Sequence, residues 1–316
     1  MKNIAVVGVG GVGGYFGGKI ARYLNNYKDN NLYFVARGNH FKEIKENGLR
    51  VKTNNEGEFT CRATYTIDDI SELPILDICF VCVKEYDLEN VLMQLKIKVN
   101  DKTKIIALLN GVDIYERVRS IINSSVIFPA CVYVGTHIEK PGVVSQNGGS
   151  CTIIFGRDPQ NKDVLAEEIC ELFDKSSIKY TWTKRHIEEI WSKFMFIASY
   201  GLVTANYNKT LGEVIESKEY SKIVKEIMNK IYEISRYEEI DLPNNIVETS
   251  YNKAKNFPYE TKTSFQRDFE LRDKYDEREL FSQSIINLGK KNNVDVKIIE
   301  NILMELNEKK RVSVMI

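Results

Sequence analysis

Short apolar runs alternate with helical stretches through the first half of the chain, while the second half carries only the longer period of amphipathic helices. Asn3-Ile4-Ala5-Val6-Val7 reads as a first strand that leaves through glycines into a helix over roughly residues 13–25. Leu32-Tyr33-Phe34-Val35 is the second apolar run, and residues 49–65 read as short strands. Residues 75–83 predict a buried strand, followed by a helix over about 88–95. A strand at 104–109, a helix near 114–122 and a strand near 126–134 continue the alternation. Residues 142–155 alternate loosely and read as an antiparallel pair turning at Asn147-Gly148-Gly149. Strands alternating with helices predict an open, mainly parallel sheet covered on both faces.

From about Trp182 the pattern changes. Residues 187–207, 218–239, 244–257, 277–291 and 296–310 read as helices, with Ile223, Ile227, Ile231 and Ile234 on one stripe. Leu280, Phe281, Ser284, Ile285 and Leu288 repeat at the spacing of a second buried face. Strand-like Tyr180-Thr181-Trp182 gives way to the first long helix near residues 181–185. The expected organisation is therefore an α/β domain at 1–183 and an all-helical domain at 184–316.

Composition fits this division. The 316 residues are 43% apolar and 28% charged, the ordinary globular mixture. Forty-four basic residues balance 44 acidic ones, so charge gives no case for nucleic acid or an anionic membrane as principal partner. No apolar run approaches the ~20 residues of a bilayer span, and the first strand leaves no room for a signal peptide, so a cytoplasmic enzyme is expected. Cys79 and Cys82 spell C-x-x-C inside an apolar strand, which points to core residues in a reduced cytosol. No second cysteine pair or nearby histidine completes a metal site. A homodimer through the helical half is compatible with the sequence, which marks no exposed patch for it.

The candidate chemistry begins at the loop Gly8-Val9-Gly10-Gly11-Val12-Gly13. Gly8 permits a sharp turn off the strand, Gly10 lets a pyrophosphate approach the backbone, and Gly13 lets the helix pack against the sheet. The helix N-terminus adds free N–H groups and partial positive charge. An NAD site usually places an acid about 20 residues past the loop, to accept from the ribose 2′-hydroxyl. Here Ala36-Arg37-Gly38 follows the second strand, and a guanidinium suits a 2′-phosphate, which favours NADP(H). Lys84 and Asn110 stand at the ends of two later strands, where ligands of open α/β sheets bind. Asn110, before Gly111, is also the residue pair of an ordinary turn. In the helical half, Glu188-Glu189-Ile190-Trp191-Ser192-Lys193-Phe194-Met195 places one lysine in apolar company. Desolvation there disfavours the ammonium, which suits Lys193 to give a proton to a carbonyl oxygen as hydride reaches the carbon. A lysine snorkelling to water is the alternative.

In sequence order, the glycine loop, the Arg37 loop, VCVK ending at Lys84, LLNG at Asn110-Gly111, PG at Pro141-Gly142 and WSKF around Lys193 resemble the ketopantoate reductases, or 2-dehydropantoate 2-reductases. Ser264-Phe265-Gln266-Arg267-Asp268 is similar to that family's SMxxD motif. The resemblance implies a Rossmann-type doubly wound sheet, an all-helical C-terminal domain and an active site in the cleft between them. It implies NADPH-dependent reduction of ketopantoate to (R)-pantoate, toward coenzyme A. Carried over by position, Gly8 to Gly13 hold the pyrophosphate, Arg37 the 2′-phosphate, and Lys84, Asn110 and Thr136 contact the cofactor. Lys193 falls on the proton donor, Ser264 on the contact to the substrate carboxylate, and Asn110 also reaches substrate. The cofactor-contacting glutamate falls at Asp276 or Glu277, with Glu277 preferred. The family's asparagines four, eight and eighteen residues beyond the lysine are replaced by Ile197, Gly201 and Leu211. Asn206 and Asn208 are the nearest amides. Another, more apolar 2-oxo acid is therefore the alternative substrate, and a non-catalytic NADPH-binding regulator a further alternative.

Overall fold

In the computed structural model, which describes residues 1–27, 30–271 and 275–314, the chain divides into two compact units. One comprises Met1–Leu109 and Ile114–His186, the other Asn110–Asp113 and Ile187–Ile316.

The first unit runs β1 (Asn3–Val7), α1 (Gly11–Asn26), β2 (Asn31–Val35), α2 (Gly38–Asn47), β3 (Leu49–Thr53), β4 (Gly57–Cys61), β5 (Tyr65–Ile67), β6 (Ile78–Val81), α3 (Glu85–Leu95), β7 (Lys104–Ala107), α4 (Ile114–Ile121), β8 (Val126–Phe128), β9 (Ala130–Lys140), β10 (Val143–Phe155), α5 (Glu167–Lys175) and β11 (Lys179–Trp182). Among the described residues, six strands form a parallel sheet in the order β5-β2-β1-β6-β7-β8. Strand order reverses between β1 and β6, and the glycine loop leaves β1 at that switch point. β1 and β6 are almost wholly buried, which is why both read as unbroken apolar runs.

A second sheet was not expected. Among the described residues it holds five strands, β11-β10-β3-β4 with β9 antiparallel to β10. The strand expected near 126–134 is split: β8 ends at Phe128, Pro129 intervenes, and β9 pairs in the second sheet instead. Proline has no N–H for a ladder, so the chain changes sheets there. Nor do residues 142–155 form a hairpin at Asn147-Gly148-Gly149. They form one strand, β10, whose register against β9 slips at Gln146/Gly148 and Gly148/Thr152. The turn lies earlier, at Pro141-Gly142, where Gly142 has φ +75°. α1 packs against both sheets: a Cβ on Gly17 would lie 3.1 Å from Phe34 and Val6, and one on Gly18 2.7 Å from Val51. Two small residues in succession let one helix lie close to both layers.

The second unit is helical: α6 (His186–Tyr207), α7 (Leu211–Glu216), α8 (Lys218–Tyr237), α9 (Ile246–Lys253), α10 (Ser264–Glu270), α11 (Arg278–Asn292) and α12 (Lys297–Val314). A capping box between Thr210 and Glu213 starts α7, and the Thr263 hydroxyl accepts from Gln266 N–H to start α10. α8 stops at Tyr237, two residues short of the expected end, because Glu239 turns left-handed at φ +58°. No helix among the described residues is long and apolar enough to cross a membrane.

Candidate active site

In the first unit the site is built on the turn from β1 into α1. α1 begins at Gly11, two residues before the expected start, with Gly10 as its uncapped N-cap. The N–H groups of its first turn therefore have no side-chain acceptor from the cap. Gly8 has φ +94° and donates to the Val35 carbonyl at 3.0 Å, which anchors the turn to the end of β2. A Cβ on Gly10 would meet nothing within 4 Å, while one on Gly13 would lie 2.1 Å from the Gly8 carbonyl oxygen. The loop thus presents open backbone at Gly10 above a tightly closed turn. Thr136, on β9, lies against Gly11, where an added Cβ would approach its atoms to 2.9 Å. The Thr136 Oγ1 is buried and makes no hydrogen bond. The open cradle and the orphaned hydroxyl fit a dinucleotide pyrophosphate.

Around the loop stand the charged candidates. Arg37 is the N-cap residue of α2, 69% exposed, with its guanidinium 2.5 Å from the Asp87 carboxylate in the first turn of α3. Lys84 is the N-cap residue of α3, directly beyond the end of β6. Cys79, in β6, is buried, and burial pushes its thiol up to about 12. Nothing in the local residue pattern singles out Asp87 or His40. His40 Nε2 contacts the Val9 carbonyl at 2.7 Å, and Gly142 N–H donates to His40 Nδ1 at 3.0 Å. Only the close return of the β9–β10 turn to α2 reveals that bridge.

In the second unit, Lys193 Nζ donates to Asn110 Oδ1 at 2.6 Å, joining two candidates 83 positions apart. Lys193 lies on the second turn of α6, and Asn110 belongs to a short segment that clusters with the helices. Ser264 opens α10, and Glu277, 5% exposed, is the N-cap residue of α11. The helices carrying these residues are pinned by aromatic rings. Phe194 stacks on Phe281 at 6.4 Å, and Phe281 meets Phe265 at 5.3 Å. Phe194 follows Lys193 and Phe265 follows Ser264, so the ring cluster ties together the helical turns that carry both candidates. Asp276 is committed elsewhere: its carboxylate lies 2.6 Å from Arg278 and 3.2 Å from Lys310. Burial pushes that carboxyl up, but the bonds and charge of Arg278, with Lys310, hold it below its ordinary range.

Two of the three positions that replace the asparagines, 201 and 211, lie in packed surroundings. Gly201 faces Phe265, whose ring would lie 3.4 Å from an added Cβ, and Leu211 is buried in the core. Asn206 is not available as a substitute: its amide donates to Glu305 at 2.7 Å and its oxygen accepts from Lys309 at 2.6 Å. Asn208 Oδ1 faces Gln266 Nε2 at 3.5 Å. Lys253 was not anticipated. Its ammonium donates to Ser192 Oγ at 3.2 Å, beside Lys193 in sequence, and burial lowers its pKa. It lies in a polar stretch whose pattern carries no sign of that burial.

A parallel sheet with a glycine loop at its switch point, joined to a helical unit carrying a lysine–asparagine pair, defines a Rossmann-type oxidoreductase. Residues 4–160 match the ketopantoate reductase PanE/ApbA family and residues 185–310 match its C-terminal domain. The chain belongs to the ketopantoate reductase family, whose members are oxidoreductases acting on CH–OH groups. It is 24% identical over 275 residues to a 2-dehydropantoate 2-reductase of Streptococcus pyogenes serotype M6, covering 81% of this chain and 82% of that one. Its fold is similar to that of a PanE/ApbA family ketopantoate reductase from Ralstonia eutropha JMP134, with a TM-score of 0.87, 20% identity and coverage of 98% and 99% of the two chains. It is also similar to a D-mandelate dehydrogenase solved with NADH and anilino(oxo)acetate, with a TM-score of 0.85, 18% identity and coverage of 98% and 99%.

Proposed function

We propose that this protein is a cytoplasmic NADPH-dependent reductase that converts the 2-oxo group of ketopantoate to the hydroxyl of (R)-pantoate. The single observation that carries the catalytic part is the 2.6 Å hydrogen bond from Lys193 to Asn110. A bound dihydronicotinamide would supply hydride to the ketone carbon. The Lys193 ammonium gives a proton to the ketone oxygen and is reprotonated from water, so ketone, hydride and proton become alcohol. The Asn110 carbonyl oxygen aims that ammonium and leaves the amide N–H group to donate to substrate or ribose. Ser264 anchors the substrate carboxylate. Gly8 to Gly13 with Thr136 hold the pyrophosphate, Arg37 takes the 2′-phosphate, and Lys84 and Glu277 flank the cofactor. The commitment of Asp276 to Arg278 and Lys310 supports Glu277 over its neighbour.

A second reading, reduction of a more apolar 2-oxo acid, is favoured by Ile197 and by the Phe265 ring against Gly201. Initial-rate oxidation of NADPH with ketopantoate and with branched and aromatic 2-oxo acids separates the two. A kcat/KM of about 10⁴ M⁻¹s⁻¹ or more on ketopantoate, lost in Lys193→Ala, supports the first reading. Turnover confined to apolar 2-oxo acids selects the second. NADPH binding without turnover of any 2-oxo acid rejects both and leaves a binding protein.

A further inference from the structure

The imidazole of His40 is placed where it can decide which way the glycine loop points its backbone. His40 lies in the first turn of α2, half-buried between the loop and the turn that joins β9 to β10. Gly142 N–H can only donate, so Nδ1 must be the unprotonated nitrogen. Nε2 then carries the proton and donates it to the Val9 carbonyl, 2.7 Å away. The ring is held in this attitude from the far side. Gly142 has φ +75°, its carbonyl accepts from Arg50 N–H at 2.9 Å, and a Cβ there would run into Glu43 of α2.

The consequence lies one atom further along the chain. Val9 C=O and Gly10 N–H belong to one planar trans peptide, in which the two groups point in opposite directions. Fixing the carbonyl toward His40 therefore fixes the Gly10 N–H away from it. Val9 N–H is itself anchored on the Val35 carbonyl at 3.2 Å, so both flanking peptides are held. Residue 10 is the position where an added Cβ would meet nothing.

We propose that His40 is a positioning residue for the dinucleotide: it locks the Val9–Gly10 peptide with its N–H turned outward, ready for a pyrophosphate oxygen. This rests on the reading of the glycine loop as a cofactor site. The pyrophosphate is common to NADPH and NADH, so the two cofactors must be affected alike.

The test is fluorescence titration of the full-length protein with NADPH and with NADH, with thermal unfolding of each variant alongside. His40→Ala is expected to weaken both cofactors about tenfold, the loss of one or two hydrogen bonds. His40→Gln carries an amide N–H able to reach Val9 and is expected to recover binding to within about threefold of the native protein. Equal binding by native and Ala forms overturns the proposal. So does a Gln variant that folds as the native protein does but binds as weakly as Ala, or a loss confined to NADPH. If the Ala variant does not fold, the comparison of Gln with His40→Leu decides on the same terms. A native protein that binds neither cofactor overturns the cofactor reading itself, and this inference with it.

Discussion

The roles proposed for Lys193, proton donor, and for Asn110, which would aim the ammonium and contact substrate, can be separated by mutation. Lys193→Ala is expected to lower kcat/KM by about 10²–10⁴, the usual share of a general acid, with cofactor affinity unchanged. Asn110→Ala should cost less at the chemical step and also raise the substrate KM, since it removes a possible substrate donor. Steady-state kinetics with a separate cofactor titration distinguishes these outcomes, and an unaffected Lys193→Ala would end the acid role. Arg37 poses a different question. Its guanidinium already lies 2.5 Å from Asp87, so a 2′-phosphate would have to share or displace that carboxylate. An exposed pair of this kind is worth only ~0.2–1 kcal/mol. Asp87→Asn should therefore tighten NADPH by up to about fivefold and leave NADH unmoved. A weaker NADPH complex would mean that Asp87 orients Arg37 instead of competing for it.

The glycine loop makes its prediction as an element, because neighbouring glycines have opposite surroundings. Gly10→Ala meets open space, so thermal stability should hold while NADPH affinity falls about tenfold or more, as the methyl intrudes on the pyrophosphate. Gly13→Ala drives its methyl into the Gly8 carbonyl and should destabilise the fold by about 1–3 kcal/mol. Equal effects of the two substitutions on stability and on binding would contradict the division of labour. The same loop shows what was legible in the chain. A strand buried on both faces, a glycine turn and a helix are all local, and β1, α1, β2 and β6 lie where the apolar runs put them. The second sheet was hidden because its pairings join Val143 to Arg50 and Thr152 to Lys179, partners whose choice no local period encodes. Pro129 could have been read as the break between β8 and β9, since proline interrupts a ladder wherever it falls. Among the site candidates, Lys193 was visible as a polar residue in apolar company and Asn110 as one at the end of a strand. His40, Asp87 and Lys253 gain meaning only from what folding brings beside them.

Each unit of the molecule also holds a buried carboxylate whose ionisation should govern its resistance to acid. Asp158, fully buried in the first unit, faces Arg119 at 2.5 Å and accepts from Ile127 N–H, Gln160 N–H, Asn161 and Tyr115. Burial pushes its carboxyl up, but these donors outweigh burial and hold it below the ordinary range. Asp276 is depressed likewise in the second unit, through Arg278 and Lys310. A native pKa below the unfolded value of about 3.9 gives stabilisation that is complete above that pH. The contribution then fades as pH falls through the lower native value, when the folded form must also take up the proton. Asp158→Asn leaves the Arg119 charge buried without its counter-ion, so near pH 7 it should cost about 3–5 kcal/mol. The deficit should begin to shrink below about pH 4, where the unfolded carboxyl takes up a proton, and close at lower pH as the native carboxyl loses the same charge. Urea unfolding of both proteins at stepped pH measures this convergence directly. A deficit that stayed constant down to about pH 2.5 would show that Asp158 acts by shape and hydrogen bonding alone, and that its charge has no part in holding the first unit together.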